Sequence, residues 1–266
     1  MSKFLQIGGS KIHYVEAGEI TNPKLLLIHG LGGSIKSWIP IFDSLAKRFH
    51  VIALDLPGFG RSDEIPGTYT MKHYANIVCS LMKSIGFHPA FLMGHSMGAL
   101  IAIKTYLMCT EKIQGLILID STGISKTIVE KIKQYMGDRW NKNRLKELYL
   151  DCILGKMGKL NESELDEWLN SLKDPKFYRA YMSCLNSMLK EIIHVNDLRK
   201  VKVPTLIIWG SEDKLTPVED GIKLSKLITM SKFILIEGAG HVPHSEAPEV
   251  VLQLVTNFIS GLKAPS

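Results

Sequence analysis

The stretch FLMGHSMGALIAI (residues 91–103) decides the fold, because it joins an apolar strand-like run to an apolar helix-like run through GHSMG (94–98). The pattern predicts a buried strand, a sharp turn and a helix. A serine in such a turn adopts backbone angles that other residues avoid, and flanking glycines let the strand and helix pass closely. In this nucleophile elbow the hydroxyl stands clear at the carboxyl edge of a sheet. We therefore predict that Ser96 is a nucleophile.

Short apolar runs bounded by Gly, Pro or Asp predict strands that are buried on both faces of a mostly parallel sheet. These runs are LLLIH (25–29), VIALD (51–55), AFLMG (90–94), GLILID (115–120), TLIIWG (205–210) and FILIE (233–237). A hairpin that turns at Gly8-Gly9 precedes them, and residues 70–86, 97–109 and 248–260 have helical patterns. The predicted fold class is α/β, with a mostly parallel central sheet flanked by helices.

Residues 121–204 interrupt this alternation, because they contain no credible central strand but several helix-like patterns. A structureless loop of this length is rare in a compact domain. We therefore predict a core formed by residues 1–123 and 196–266, and a helical cap, or lid, inserted at residues 124–195.

The predicted cap is rich in apolar and aromatic residues that either line a pocket for substrate or pack the cap helices. These residues are Met136, Trp140, Tyr149, Met157, Trp168, Phe177, Tyr178, Tyr181, Met182 and Met188. Arg139, Arg144 and Arg179 would bind a substrate carboxylate only if their side chains turn inward.

A serine hydroxyl needs a base, because its own pKa lies far above neutrality. His241 follows the last predicted strand in the glycine-rich stretch ILIEGAGHVPH, which places it at the same carboxyl edge as Ser96. His244 is the nearby competitor, but it leads into the final helix and is expected to pack there. His29 and His95 flank glycines and are expected to be structural. We predict that His241 is the base.

The imidazole in turn needs an acid that fixes its tautomer and stabilises its charged form. Asp213, in IIWGSEDKLTP, follows the penultimate predicted strand at the carboxyl edge of the sheet. Asp120 ends an earlier strand and is the runner-up, and the neighbouring Glu212 stays open. The order Ser96, Asp213, His241 agrees with the order of nucleophile, acid and base that accompanies this type of elbow.

Composition and charge exclude several classes of protein. The chain has 266 residues, of which 45% are hydrophobic and 22% charged, and its 32 Lys and Arg exceed its 26 Asp and Glu by six. Because the charges are mixed along the chain, a nucleic-acid partner is not expected. The pair His241 and His244 makes a weak zinc motif, since Pro243 distorts the spacing and no third ligand is evident. No metal and no cofactor are expected.

The cysteines and the apolar segments indicate a reduced compartment. Cys79, Cys109, Cys152 and Cys184 are far apart in the sequence and lack ligand spacing, so we expect buried free thiols rather than disulfides. No signal peptide and no membrane span are expected, because no apolar run is long enough. These observations predict a cytoplasmic protein. The oligomeric state is left open, with a homodimer as the candidate assembly.

Five motifs, in order and at similar separations, resemble those of the α/β-hydrolase superfamily. They are HGLGGS (29–34), DLPGFGRSD (55–63), GHSMGA (94–99), GSEDKLTP (210–217) and GAGHVPHSEAPE (238–249). The resemblance implies a triad of Ser96, His241 and Asp213. It also implies an oxyanion hole formed by the backbone amides of Met97 and of a residue in the glycine-rich HGLGG loop, which we take to be Leu31. An ordinary tight turn is the alternative reading of HGLGG.

Within that superfamily the chain looks most like small capped carboxylesterases and the related carbon–carbon bond hydrolases and enol-lactonases. Members that open epoxides or remove halides have an aspartate where this chain has Ser96. Carbon–carbon bond hydrolases often have asparagine where this chain has His95. The resemblance thus implies a carboxylesterase that cleaves small to medium apolar esters through an acyl-enzyme, with a small-molecule ester as its partner. The alternatives are a carbon–carbon bond hydrolase or enol-lactonase of aromatic degradation and, in another class, a ligand-perceiving protein without turnover.

Overall fold

A mixed β-sheet forms the centre of the computed structural model, which describes residues 2–65, 67–136 and 141–262. In these ranges the sheet has eight strands in the order β1-β2-β4-β3-β5-β6-β7-β8. The strands are β1 (Ser2–Ile7), β2 (Ser10–Ala17), β3 (Lys24–Ile28), β4 (His50–Leu54), β5 (Ala90–His95), β6 (Ile113–Ile119), β7 (Thr205–Gly210) and β8 (Ser231–Ile236). β1 pairs antiparallel with β2, and β2 pairs antiparallel with β4. The other neighbouring strands in this order, from β4 through β3 and β5 to β8, pair in parallel. The predicted fold class is confirmed.

The apolar runs of the sequence form strands with two buried faces. In β3, Leu25 and Leu27 belong to one apolar layer, while Leu26 and Ile28 belong to the other. Successive side chains of a strand point to opposite faces, so an unbroken apolar run suits a sheet that is covered on both sides. The first hairpin is also confirmed, and its turn residues Gly8 and Gly9 have φ of 55° and 87°.

Helices cover both faces of the sheet. Those of the described chain are α1 (Ile39–Ala46), α2 (Met71–Ser84), α3 (Met97–Met108), α4 (Thr127–Met136), α5 (Lys142–Leu148), α6 (Glu162–Ser171), α7 (Pro175–Lys190), α8 (Val195–Leu198), α9 (Val218–Leu227), α10 (Pro243–Glu246) and α11 (Pro248–Gly261). Buried residues of α1 and α11 join one apolar layer, and those of α2, α3 and α9 join the other. Thr70 caps α2, because its side chain accepts a hydrogen bond from the His73 amide. No helix in the described ranges is long and apolar enough to cross a membrane.

The segment between β6 and β7 is helical, with α4 to α8 and a π-helical turn (Tyr149–Ile153) in its described part. The sequence predicted helices in this segment without giving their bounds, and the longest of those described is α7, with 16 residues. Asp174 caps α7 by accepting a hydrogen bond from the Lys176 amide at 2.9 Å, and Pro175 is its first residue. This Asp-Pro start was a readable signal. The division into core and cap at residues 124 and 195 stays a prediction.

A disulfide joins Cys79 in α2 to Cys109 at the end of α3, so the expectation of four free thiols is wrong for this pair. The two helices pack side by side, which brings the Cα atoms within 6.4 Å although 30 positions separate the residues. Sequence spacing carries no trace of this contact. Cys152 and Cys184 are free and buried, as predicted.

The crossing of α3 over the sheet leaves no room for a side chain at Gly98. A Cβ atom there would lie 2.1 Å from the Ile28 carbonyl oxygen and 2.6 Å from that of His29. Both neighbours are backbone atoms, so the strain cannot be relieved by a rotamer change. We expect Gly98→Ala to lower the free energy of unfolding by about 1–3 kcal/mol, as overpacking typically does.

Urea unfolding measures this loss, with Gly261→Ala as the control. Among the described residues, no atom outside the helix itself lies within 4 Å of the Cβ position of Gly261, so alanine there should not lower stability. An equal loss at both positions would contradict the close crossing.

Candidate active site

Ser96 lies at the crossing of β5 and α3, where it is the residue before the helix begins. Its φ of 54° and ψ of −116° are strained for a residue with a side chain. Its amide donates a hydrogen bond to the Ile119 carbonyl at 2.9 Å, which anchors the turn to β6. Gly94 and Gly98 make the turn possible, because a Cβ on Gly94 would lie 2.3 Å from the Gly98 carbonyl oxygen. The local geometry is that of the predicted elbow.

The structure brings Ser96, His241 and Asp213 into one chain of hydrogen bonds. Ser96 Oγ lies 3.0 Å from His241 Nε2, and His241 Nδ1 lies 2.8 Å from Asp213 Oδ2. These residues are 3%, 4% and 5% exposed, respectively. When Nδ1 carries the proton and donates to the carboxylate, Nε2 is free to accept the serine proton. The arrangement can therefore move a proton from the hydroxyl to the imidazole.

Hydrogen-bond donors hold Asp213 in its charged form. The backbone amides of Leu215 and Thr216 donate to Oδ1 at 2.8 and 2.9 Å, and the Thr216 hydroxyl donates to Oδ2. Burial favours the neutral acid, but the nearby His241 and these donors outweigh it and hold the pKa of Asp213 below its usual range. Asp213 is thus an anion at neutral pH.

The competing acid Glu212 points elsewhere. Its carboxylate accepts a hydrogen bond from the Lys156 amide at 2.9 Å and pairs with Lys156 Nζ at 2.7 Å. It therefore binds the helical segment between β6 and β7 rather than His241. The other competitor, Asp120, lies behind Asp213 and is fully buried.

The other histidines near Ser96 have separate partners. The ring of His244 packs between Trp38 and His95, with centroids 4.9 and 4.6 Å away, as expected for a packing residue. His29 Nε2 accepts a hydrogen bond from the Leu56 amide at 3.0 Å. His95 does more than fill space, because its Nε2 donates to the His241 carbonyl at 2.7 Å. His95 thereby helps to hold the backbone of His241.

The glycine-rich loop after β3 lies beside Ser96. A Cβ on Gly30 would be 3.3 Å from the Ser96 Cβ, so this backbone is in contact with the elbow. In the described residues, neither the Leu31 nor the Met97 amide donates a hydrogen bond to another protein group. Two unused amides beside a nucleophile are what an oxyanion hole requires. Their assignment as oxyanion donors stays a prediction.

Aromatic side chains of α6 and α7 cover the glycine-rich loop. A Cβ on Gly32 would lie 2.8 Å from Trp168 Nε1 and 3.2 Å from the Tyr181 ring. The Trp168 and Tyr181 rings meet edge to face, with their centroids 5.4 Å apart. The Phe177 ring stacks on Tyr181 at a centroid distance of 6.2 Å and meets Phe59 edge to face at 5.4 Å. We call Phe59, Trp168, Phe177 and Tyr181 the aromatic cluster. It packs apolar rings against the glycine-rich loop at Gly32.

Of the remaining residues predicted to line a pocket, some are buried in the packing of the helices and others face solvent. Met188 is buried, whereas Met157 and Tyr178 are exposed. Arg144 is also exposed, and Arg179 pairs with Glu64 at 2.7 Å on the surface, so neither turns inward. The partly buried side chains Met136, Tyr149 and Met182 complete the described set, while Arg139 and Trp140 lie outside the described residues.

A stretch of the predicted cap, residues 152–157, is inserted between the loops that carry Asp213 and His241. The Ile153 carbonyl accepts a hydrogen bond from the His241 amide at 2.6 Å, and the Met157 amide donates to the Gly238 carbonyl at 3.1 Å. A Cβ on Gly155 would lie only 2.4 Å from that same Gly238 oxygen. The predicted cap therefore forms part of the backbone support of His241.

The carboxylate of Glu246, which we call the Glu246 clamp, ties these pieces together. Its Oε1 accepts hydrogen bonds from the Gly240 amide at 3.0 Å and the Val242 amide at 3.4 Å, on either side of His241. Its Oε2 accepts one from the Gly155 amide at 2.9 Å. One side chain thus fixes both flanks of the histidine and its contact with the cap.

Sequence reasoning missed the supporting roles of His95, Thr216 and Glu246. The signal for Thr216 was present, because a threonine three residues after an aspartate can donate to it in a turn. Glu246 lies five residues after His241 in a motif quoted for its resemblance alone. Its partners are backbone amides, which leave no mark on neighbouring side chains.

We expect Glu246→Gln to lower the free energy of unfolding by about 1–3 kcal/mol, because amides that donate to a carboxylate lose a charged acceptor. Thermal and urea unfolding measure this change. Glu237→Gln is the matched control, since Glu237 is exposed and precedes the same loop. Equal free energies of unfolding for the two variants would show that the Glu246 clamp does not stabilise the fold.

The buried His244 predicts acid sensitivity. Burial, with a smaller effect of His241, lowers the pKa of His244 from 6.5 to about 3. Between these values the unfolded chain binds a proton that the folded chain does not, so stability should fall as pH drops below about 6.5. The slope from one such group reaches about 1.4 kcal/mol per pH unit. His244→Gln should flatten the profile of unfolding free energy between pH 7 and 5, whereas His194→Gln, at an exposed site, should not.

Comparisons with known proteins agree with this architecture. A sequence profile described as "Alpha/beta hydrolase family" matches residues 25–254. The 2-hydroxy-6-oxo-6-(2'-aminophenyl)hexa-2,4-dienoic acid hydrolase of Metapseudomonas resinovorans is 26% identical over 98% of this chain and 91% of its own length. A bacterial membrane phospholipase A is 29% identical, with a TM-score of 0.83 over 100% of this chain and 87% of that one.

The meta-cleavage product hydrolase of Pseudomonas fluorescens IP01 shares the fold with a TM-score of 0.88 and 22% identity, over 98% of each chain. The family match covers most of the sequence and includes Ser96, Asp213 and His241. The chain belongs to the α/β-hydrolase family.

Proposed function

We propose that this protein is a serine hydrolase that cleaves small to medium apolar carboxylic esters through an acyl-enzyme. The hydrogen-bonded series from Ser96 Oγ through His241 to Asp213, with distances of 3.0 and 2.8 Å, is the observation that carries the proposal. Membership of a family of hydrolases supports it. So does the likeness to a phospholipase, an enzyme that by its name acts on lipid esters.

The proposed reaction uses each group for one task. His241 takes the proton of Ser96 as its oxygen attacks the ester carbonyl, and then donates that proton to the leaving alcohol. Water attacks the acyl-enzyme with His241 again as base, and Asp213 stabilises the imidazolium in both steps. The amides of Leu31 and Met97 would bind the oxyanion, each with a contribution of about 3 kcal/mol to the transition state.

The surroundings of the elbow favour an apolar substrate. The aromatic cluster lies against the loop that carries Leu31, so an acyl or alcohol group bound there would meet apolar rings. The two described arginines of the cap, Arg144 and Arg179, face solvent and offer no charge to a substrate carboxylate. An apolar ester fits these contacts better than a dicarboxylate.

Hydrolysis of a carbon–carbon bond is the second candidate, favoured by the relative that acts on a ring-cleavage dienoate. Both reactions would use Ser96 and His241, so the geometry of the triad does not separate them. The occupant of position 95 does bear on the choice, because here it is a histidine engaged with the His241 carbonyl. An asparagine amide, which the resemblance links to that activity, is lacking there. Ester hydrolysis is therefore the primary proposal.

We expect Ser96→Ala to lower ester hydrolysis by about six orders of magnitude, because the residual rate comes from binding and oxyanion donors alone. Release of p-nitrophenol from butyrate and octanoate esters measures the rate. Ser245→Ala is the control, since Ser245 is exposed, lies four residues after His241, and has a hydroxyl without a hydrogen-bonded partner among the described residues. Wild-type turnover in Ser96→Ala would refute the assigned nucleophile.

A parallel panel should separate the candidate functions. It would contain apolar esters, a dicarboxylate monoester, a lactone and a vinylogous diketone of the ring-cleavage type. We expect the highest kcat/KM for the apolar esters. A preference for the diketone would favour the carbon–carbon bond hydrolase, and tight binding without turnover would favour a ligand-perceiving protein.

A further inference from the structure

A second carboxyl group, that of Asp120, lies against the candidate triad. It follows β6 and is fully buried, with a φ of 44° that aspartate and asparagine tolerate better than most residues. Donor or acceptor atoms of Asp120, Asp213 and His241 all lie within 4.8 Å of one another. Two carboxyl groups therefore share one water-poor volume behind the imidazole.

The hydrogen bonds of the two carboxyl groups are unequal. Asp213 accepts four, from two backbone amides, the Thr216 hydroxyl and His241. Asp120 accepts one, from the Gly210 amide to Oδ1 at 3.0 Å, and its buried Oδ2 has no donor among the described residues. A buried carboxylate oxygen without a donor is costly, whereas a protonated one can itself donate. The neighbouring Asp213 carboxylate is the acceptor at hand.

We propose that Asp120 is a positioning residue that stays protonated at neutral pH and donates its Oδ2 hydrogen to the Asp213 carboxylate, behind His241. The proposal rests on the proposed triad. It assigns the single shared proton to the carboxyl group that lacks donors and the charge to the one that has four. Like charges this close cannot both persist in a buried site.

The charges around Asp120 agree with this assignment. Besides Asp213 on the loop after β7, the titratable groups that face it are His241 on the loop after β8 and Glu246 on α10. Burial first, and then Asp213, raise the pKa of Asp120 well above its usual range, with a smaller push from Glu246. His95 and His244 face His241 from the other side and are buried and uncharged at neutral pH.

The hydrogen bond would have a consequence for the base. By withdrawing charge from Asp213, a donor at Asp120 would weaken the attraction of that carboxylate for a second proton on the imidazole, which leaves Nε2 free to accept from Ser96. The backbone of Asp120 is held by β7, because the Asp120 amide donates a hydrogen bond to the Ile208 carbonyl at 3.0 Å. Asp120 is therefore a fixed neighbour for the Asp213 side chain.

Infrared spectroscopy of the whole protein tests the protonation directly. A protonated carboxyl group has a C=O stretching band separate from that of a carboxylate. At pH 7 the difference between wild type and Asp120→Asn should contain one carboxylic acid band that the variant lacks. A carboxylate band in its place would overturn the proposal.

The pH dependence of Ser96 labelling by a fluorophosphonate tests the positioning role. Asparagine can accept from the Gly210 amide and donate to Asp213, as a protonated acid does, so the acid limb of Asp120→Asn should stay at the wild-type pH. Asp120→Gly suits the positive φ but removes the donor. Its acid limb should move to higher pH by about half a unit or more, with labelling at least fivefold slower than in Asp120→Asn.

The outcomes separate this proposal from the proposed function. A shift of the Asp120→Asn limb to lower pH would mean that wild-type Asp120 is ionised, and would overturn the proposal. An unmoved limb in Asp120→Gly, with only a lower melting temperature, would reduce Asp120 to a structural residue and would also overturn it. Failure of wild type to label would refute the triad, while the infrared band would still decide where the proton lies.

Discussion

The close crossing of β5 and α3 at Ser96 is the constraint on which the rest of the site depends. Residues in strained backbone regions cost about 1–3 kcal/mol each and persist only where the surroundings over-determine them. Here the surroundings are two neighbouring strands, since the Cβ position of Gly98 meets the carbonyl of Ile28 in β3 and the Ser96 amide donates to that of Ile119 in β6. Because the flanking strands are buried on both faces, the hydroxyl position is fixed by the core of the sheet.

The catalytic chemistry proposed here depends equally on residues outside the sheet. His241 is supported on its amide by the Ile153 carbonyl of the predicted cap, on its carbonyl by His95, and on both flanks by Glu246. Ser96 itself is only 3% exposed, so these supporting contacts surround a buried hydroxyl. Since the hydrogen bond from the His241 amide runs to the cap itself, any displacement of Ile153 would alter the support of the base.

Local patterns were sufficient to predict the sheet, the elbow and the residues brought together there. Each of these signals is local and spans only a few residues. They are the apolar runs, the glycines around Ser96, and the positions of Asp213 and His241 directly after strands. What the sequence did not reveal depends on contacts between distant segments. The Cys79–Cys109 disulfide arises from the packing of two helices, and the Glu246 clamp acts on backbone amides. Neither leaves a periodic pattern.

Electrostatics explain how one buried site can hold so many titratable groups. His95 and His244 are kept neutral by burial, which lowers the pKa of both, while burial raises the pKa of Asp120. Asp213 keeps its charge, because it has the donors to stabilise it. Proton transfer to His241 then forms an ion pair with Asp213. In a site of low dielectric this ion pair is strong. Burial therefore keeps His95, His244 and Asp120 uncharged and also stabilises the imidazolium of His241 once it forms.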